Sequence, residues 1–395
     1  MYLCKIIIPH RQKIMKWIDN SVKNIFCSID SSLRSLLESK PSNLRFYENT
    51  IIPFEIKLLR WHGNSIGNRA YPYLEQSLHD WLPRYLSPEE LSDAERRRKI
   101  EDDMIKSRVI HGVIPLEYVL YGYEPLDYWA RQEFINDHDR WEILHKRFGE
   151  KVKRDHKDKW RFYQLVGQYF KREACRVGKG TPQSDFMDFV ARHPRFFVKQ
   201  LEGCFGRNAY LLEAHDTEKA QEIYDKLFSH GAWIVEEVIQ QSKEMSAWNA
   251  SSVNTVRMAS FLTASGEHHI MAPFFRAGRV GSIIDNACSG GMVAGVDEQT
   301  GRLLYGGFDE NGLRYETHPD SGHKIEGWQL PEWSSLCQLT EEVHRAMPPG
   351  HRYVAFDFAH TEDGWVLVEG NWGQLIFNQA GSRRGLKKQF LEYIR

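Results

Sequence analysis

The stretch GWVLVEGNWGQ, Gly364 to Gln374, is an alternating apolar run that closes on a carboxylate, a glycine and an amide. Glu and Asn are poor strand formers and Glu is rarely buried alone, so a strand with Glu369 and Asn371 on one face needs a reason. The residues before it, YVAFDFAHTED, read as a partner strand from Tyr353 and a turn at Glu362-Asp363-Gly364. A three-residue hairpin loop puts a glycine in the left-handed position at its end, where Gly364 falls. This register pairs Thr361 with Trp365 and, counted outward, sets Asp357 directly opposite Glu369. Like charges so opposed, about 5 Å apart at Cβ, repel. Asn371 lies two residues on and projects from the same face as Glu369. Two carboxylates and an amide oxygen converging on one point suit a hard cation such as Mg²⁺, which leaves positions for water and phosphate. The alternative is a solvated hairpin face with its acids in water.

The chain of 395 residues holds material for two or three domains. Its 52 basic and 53 acidic residues nearly cancel, so no global field argues for nucleic acid or an anionic membrane. The 6 cysteines show no CxxC pair or histidine spacing, which speaks against a zinc site and a disulfide framework and fits a reducing cytoplasm. MYLCKIIIPH is too short, and too soon interrupted by Pro9, to span a membrane, and it lacks the apolar core and cleavage site of a signal peptide. Surface contact of Met1 to Ile18 with a membrane stays open.

Residues 1–115 read as a mainly helical N-terminal region, and residues 116–395 as an α+β region with lobes at about 157–240 and 241–395. Ser87-Pro88-Glu89-Glu90 opens a helix with a cap, a proline at the first position and a glutamate three residues after the cap. That helix reads on through DAERRRKIEDDMIKSRVIH to a stop at Gly112. PLEYVLYGYEPLDYWARQEFI reads as helix, turn and helix with aromatic packing. From about Lys171, short strands bounded by glycine turns alternate with helices. Those helices are SDFMDFVARHP, capped by Ser184, DTEKAQEIYDKLFSHG, from Asp216 to Gly231, and SSLCQLTEEVHRAMPPG, ending at Pro348.

RFFVKQLEGCFGRNAYLL is a strand, a glycine loop and a returning strand. Lys199 ends an aromatic and β-branched run, so its stem is buried and its amine must reach something polar, such as a nucleotide phosphate. Gly203 and Gly206 let the loop backbone approach an anion, although the spacing is neither a P-loop nor a dinucleotide turn, and an ordinary glycine hairpin reads equally well. In AWIVEEVIQQSKE, an apolar strand exits at Glu236-Glu237-Val238, where main-chain groups could meet an adenine edge, and Glu244 could accept from ribose hydroxyls. Solvated glutamates at a strand end are the alternative.

The order of these elements resembles the ATP-grasp superfamily: lysine on a strand, glycine hairpin, apolar strand with an acidic exit, then Asp357 and Glu369-Gly370-Asn371 on a closing hairpin. In that superfamily two α+β lobes clasp ATP between antiparallel sheets. The resemblance supplies a further phosphate-binding lysine, Lys159, which in DHKDKWRFYQLVGQYF follows an acid and precedes an amphipathic helix. Within the superfamily, SSVNTVRM, IIDNACSGGMVAGVDEQTGRL, HPDSGHKIEGWQLPEW and VAFDFAHTEDGWVLVEGNWG are similar to the sugar-transfer associated ATP-grasp proteins, with a weaker likeness to the teichuronopeptide-type group. The likeness runs from about Leu116 to Gln379, and none is seen before about residue 110.

The resemblance implies a fold, two cofactors and a set of roles. The fold is an ATP-grasp fold preceded by a mainly helical region, binding ATP and Mg²⁺. Lys159, Lys199, Gly203 and Gly206 would handle phosphate, Glu236, Glu237, Val238 and Glu244 the nucleoside, and Asp357, Glu369 and Asn371 the metal. Many superfamily ligases carry an arginine just before the metal aspartate, but Val354, Ala355 and Phe356 stand there in this chain. Charge relief then falls to Arg257 or Arg276, with Asn254 at the start of the Arg257 strand. His318, Asp320 and His323 are candidates for an acceptor pocket, or else a plain surface loop. The implied reaction is ATP-dependent joining of a small-molecule carboxylate to an amine through an acylphosphate, with substrates from surface-polysaccharide or secondary metabolism, sugar-linked in one version. A hydroxyl kinase on the same fold, or a nucleotide-binding scaffold without catalysis, are the rivals.

Overall fold

The computed structural model of the protein describes residues 72–395 apart from 202–207, 283–284 and 286–289. The chain divides into two compact units, Met1–Arg131 and Gln132–Arg395. The division falls after Arg131, beyond the boundary expected at 115, because Arg131 is tied back into its own unit. Its guanidinium donates to both oxygens of Asp103 at 2.9 and 2.8 Å and to the Tyr123 carbonyl at 2.8 Å.

The described part of the first unit is helical: α1 (Pro72–Tyr85), α2 (Pro88–Ser92), α3 (Ala94–His111) and α4 (Pro115–Tyr121). Ser87 and Glu90 form the expected capping box, and Gly112 stops α3 in the left-handed conformation at φ 70°. The single helix expected between them is two. Asp93 adopts an extended backbone, and its carboxylate accepts from the Glu95 and Arg96 amides, ending α2 and capping α3. From the sequence, the aromatics Trp61, Tyr71, Tyr73 and Trp81 could dock a partner or substrate or else pack onto the core, and of these Trp61 and Tyr71 lie outside the described residues.

The second unit is built on two antiparallel sheets. Strands β1 (Ala174–Val177), β2 (Arg195–Gln200), β3 (Ala209–Glu213) and β4 (Trp233–Glu237) form a four-stranded sheet in the order β1-β4-β2-β3. Strands β5 (Thr255–Leu262), β6 (His268–Ala277), β7 (Met292–Gly295), β8 (Gly307–Phe308), β9 (Arg314–Tyr315), β10 (Tyr353–Thr361) and β11 (Gly364–Asn371) form a seven-stranded sheet in the order β11-β10-β5-β6-β7-β8-β9. The helices that matter for the site are α5 (Asp137–Arg147), α6 (Lys159–Val166), α7 (Gln183–Arg192), α8 (Thr217–Ser229), α9 (Trp333–Ala346), α10 (Ile376–Ser382) and α11 (Lys387–Tyr393). Helix α7 begins after Pro182 without a side-chain cap, so Ser184 does not cap it as expected. Among the described residues no helix is long and apolar enough to cross a membrane.

Side-chain alternation gives each sheet two distinct faces. On the small sheet, Phe196, Val198, Trp233 and Val235 pack with Phe186 and Phe189 of α7 and Ile223 and Leu227 of α8. Phe197, Lys199 and Glu236 therefore point away from those helices. On the large sheet, Val256, Met258, Phe356, Phe358 and Leu367 pack with Phe162 of α6 and Leu336 and Val343 of α9. At one end of the opposite face, Ala259, Phe261, Tyr353 and Ala355 meet Leu144 of α5, Leu375, Leu386 and Phe390. Arg257 and Asp357 follow on that same face.

Gly370 lets α6 approach β11: a Cβ added there would run into the Phe162 ring, three residues after Lys159. Gly370→Ala is expected to lower stability by about 1–3 kcal/mol through overpacking, measurable as a drop in urea midpoint. An unchanged midpoint would show that α6 is not held there.

Several histidine side chains are buried, among them His344 of α9. Ser260 Oγ sits between His268 Nε2 at 2.8 Å and His344 Nδ1 at 2.7 Å, and His344 Nε2 lies 2.6 Å from the His351 carbonyl. Burial pushes His268 and His344 down to about 4 and His156 well below its ordinary value. A depressed histidine pKa contributes stability that is complete above the unfolded value of about 6.5 and is lost as pH falls toward the folded value. The unfolding free energy from urea titration is therefore expected to decline between about pH 6.5 and 4, by more than the roughly 1.4 kcal/mol that one pKa unit represents. A flat profile down to pH 5 would contradict this.

Candidate active site

The β10–β11 hairpin reaches its functional register by an unexpected route. Its turn has two residues, Glu362 and Asp363, and Gly364, at φ 91°, pairs with Thr361. His360, not Thr361, pairs with Trp365. Phe358 still pairs with Leu367, but Asp357 pairs with Glu369, so Val368 is the extra residue of a β-bulge. The bulge restores the one residue lost at the turn. Asp357 thus stands opposite Glu369 as expected, with Asn371 opposite Ala355.

Arginines neutralise Asp357. Arg257 is its cross-strand partner on β5 and donates from Nε to one carboxylate oxygen and from Nη2, at 2.7 Å, to the other. Arg276 on β6 adds Nη2 at 2.8 Å. Its Nε donates to Thr255 Oγ1 at 2.9 Å and lies 3.4 Å from Asp285, which also accepts from the Thr255 hydroxyl. Burial raises the Asp357 carboxyl, but Arg257 and Arg276 outweigh it and hold it below its ordinary value. For Asp285 burial wins and the pKa rises. Two acids bound to one arginine are thereby pushed in opposite directions.

Glu369 and Asn371 are half-buried and weakly engaged, with Asn371 Nδ2 3.5 Å from Glu369 Oε1. Two carboxylates and an amide on adjoining strands are a hard oxygen donor set that fits Mg²⁺. Among the described residues no three His, Cys, Asp or Glu side chains group as a metal cage. Glu369 and Asn371 would be the accessible members of the donor set, while Asp357 is shared with the arginines.

On the small sheet, Lys199 Nζ lies 2.8 Å from one oxygen of Glu236, and Arg172 Nη2 lies 2.6 Å from the other. Burial works to raise the Glu236 carboxyl, but Lys199 and Arg172 bring it down to about 2. The Glu236 side chain thus orients two cations, while the sequence reading offered the main chain of this strand exit to the nucleoside. Glu237 accepts from the Glu173 amide at 3.2 Å, and Val238 follows just past the last residue of β4. Glu244 lies in the short helix Lys243–Ser246. Lys159 begins α6 behind the Asp158 cap, and its amide donates to the carbonyl of Leu201 at 3.5 Å, at the edge of the glycine loop. Gly203 and Gly206 themselves lie outside the described residues.

Other expected residues sit elsewhere. Asn254 is fully buried, its Nδ2 donating to Gln241 and to the Met245 and Asn249 carbonyls while its oxygen accepts from the Gly278 amide. It pins loops behind Arg276 and is not turned to the carboxylates. The HPDSGH segment forms a clip: His318 is buried against the Gly278 carbonyl, Asp320 is bidentate to Arg279, and His323 packs on Trp248. Sequence reading missed Arg172 altogether, because the run FKREAC around it carries no pattern and the carboxylate and β11 carbonyls it binds are 64 to 196 residues away.

A family profile described as sugar-transfer associated ATP-grasp matches residues 179–394, which span the small sheet from α7 onward and the whole large sheet. The protein belongs to that family and has an ATP-grasp fold, with helix and strand mixed as expected. Among solved structures it is similar to the D-alanine–D-alanine ligase from Coxiella burnetii, at 10% identity over 62% of this chain and 59% of that one, TM-score 0.38. It is also similar to N5-carboxyaminoimidazole synthetase from Staphylococcus aureus complexed with ADP, at 9% identity over 60% and 51%, TM-score 0.36. A third is the L-amino acid ligase from Bacillus licheniformis, at 9% identity over 58% and 43%, TM-score 0.34. The chain thus spans about three fifths or less of the length of these proteins. No curated protein matches it in sequence.

Proposed function

We propose that this protein is an ATP-dependent ligase that joins a carboxylate to an amine through an acylphosphate, with Mg²⁺ as its metal. The observation that carries the reading is the Asp357–Glu369–Asn371 set flanked by Arg257 and Arg276 in a member of an ATP-grasp family.

In the first step a carboxylate oxygen attacks the γ-phosphorus and the bond to the β-phosphate oxygen breaks, giving acylphosphate and ADP. In the second the amine nitrogen attacks the acyl carbon, the bond to phosphate breaks, and the nitrogen loses a proton as the amide forms. Such transfers depend on positioning and on charges aimed at the phosphoryl oxygens rather than on a protein nucleophile. Lys159 and Lys199 neutralise phosphate, the Glu237-Val238 main chain meets the adenine edge, and Glu244 takes the ribose. When bound, Mg²⁺ would supply further neutralisation of the phosphates, and Glu369, Asn371 and Asp357 would hold it. Arg257, fixed edge-on by Asp357, presents its guanidinium to the acylphosphate, and Arg276 behind it keeps Asp357 charged. The substrates are small molecules, and their origin in surface-polysaccharide or related metabolism rests on the family description alone.

Incubation with ATP, Mg²⁺ and pooled carboxylates and amines tests this. Free phosphate with an amide product supports ligation. A phosphorylated product without free phosphate makes it a kinase, and no ATP consumption makes it a scaffold.

Lys199→Met keeps the apolar stem and deletes the amine. A charged contact to phosphate is worth roughly 1.5–3 kcal/mol, so ATP affinity is expected to fall about tenfold to a hundredfold by calorimetry. Unchanged affinity would place the phosphates elsewhere.

A further inference from the structure

Arg172 lies ahead of β1, outside the residues matched by the family profile, and its side chain is only 5% exposed. Its guanidinium makes contacts in two sheets. Nη2 donates to Glu236 Oε1 at 2.6 Å and to the Val368 carbonyl at 3.2 Å, while Nη1 donates to the Leu367 carbonyl at 2.6 Å. The Phe170 ring lies beneath it, 4.7 Å from the guanidinium carbon.

Those two carbonyls belong to the β-bulge. Val368 is the residue with no partner in β10, and Glu369 is the next. A bulge interrupts the ladder, so its carbonyls need other donors and its geometry can drift. Glu369 faces Asp357 only because the bulge stands where it does, and a one-residue slip would turn it to the other face of the sheet. The other oxygen of Glu236 holds Lys199. One guanidinium therefore connects Lys199, through Glu236, to the backbone that aims Glu369.

We propose that Arg172 is a positioning residue that locks the β11 bulge and so sets Glu369 for Mg²⁺. The proposal rests on the nucleotide and metal reading above. Arginine is suited to the task because its planar fork reaches the two carbonyls and the carboxylate together, whereas a lysine ammonium is a single point charge.

The test is ATP binding by calorimetry to the full chain, without metal and across a Mg²⁺ titration. Arg172→Lys keeps a cation beside Glu236 but cannot span both carbonyls. It is expected to leave metal-free ATP affinity within about twofold and to raise the Mg²⁺ concentration for half-maximal enhancement about tenfold or more. Val368→Gly loosens the bulge without touching Arg172 and is expected to give the same selective loss. It also serves if Arg172→Lys does not fold. Glu236→Gln, which releases Lys199 and leaves the carbonyl contacts, is expected to change the metal-free affinity and not the Mg²⁺ midpoint. An unchanged Mg²⁺ midpoint in Arg172→Lys or, if that protein does not fold, in Val368→Gly overturns the proposal, as does a parallel loss with and without metal. If the wild-type protein shows no Mg²⁺-dependent ATP binding, it is the nucleotide reading itself that fails.

Discussion

Glu369→Gln is expected to lower Mg²⁺-dependent turnover about 10²–10³-fold, the scale of removing one preorganised electrostatic group, while the fold stays intact. Glutamine matches glutamate in shape, and Glu369 is half-buried with only a 3.5 Å contact to Asn371, so no strong bond is lost. Its charge stands opposite Asp357, which Arg257 and Arg276 already neutralise, so removing it leaves no buried charge newly unpaired. The urea midpoint is accordingly expected to stay level in the absence of metal. Normal turnover of this variant at low Mg²⁺ would show that Glu369 is not a ligand.

The facing carboxylate is expected to behave in the opposite way. Asp357→Asn leaves Arg257 and Arg276, both mostly buried, without the carboxylate they share. Breaking a buried ion pair from one side costs about 3–5 kcal/mol, because the remaining charge is left without compensation. Arg276 keeps Asp285 at 3.4 Å, so Arg257 bears most of the loss. A urea midpoint within about 1 kcal/mol of wild type would mean that the cluster relaxes and that Asp357 is not its centre. Across one pair of hairpin residues, then, one substitution removes activity and spares stability, and the other removes both.

The same hairpin shows how far the sequence could be read. Alternation and the glycine fixed two strands and a turn, and the opposition of Asp357 and Glu369 followed from counting. The count succeeded because a turn one residue shorter than expected is offset by the bulge at Val368. Nothing local marks that bulge, since its carbonyls are held by Arg172, far away in sequence. The charge conflict was also legible, and a neutralising partner was correctly required. Two arginines on neighbouring strands meet that need for Asp357, and strand pairing across a sheet is not readable from periodicity. Asp93 was readable in principle: an acid ahead of AERR is a cap signal, overlooked because the Ser87 box lay close by. Asn254 reads as a site residue and His318 as either a pocket or a surface-loop residue; both side chains are buried and bonded to loop backbone.

Oxygen tracing tests the central claim most directly. The protein is incubated with ATP, Mg²⁺, an amine pool and a pool of carboxylic acids labelled with ¹⁸O in both carboxyl oxygens, and the released phosphate is analysed by mass spectrometry. Attack of a carboxylate oxygen on the γ-phosphorus, followed by amine displacement, carries one ¹⁸O into inorganic phosphate and leaves the other in the amide carbonyl. Phosphate bearing one ¹⁸O together with a labelled amide is the predicted result. Unlabelled phosphate, or ADP formed with a phosphorylated hydroxyl and no free phosphate, would contradict it.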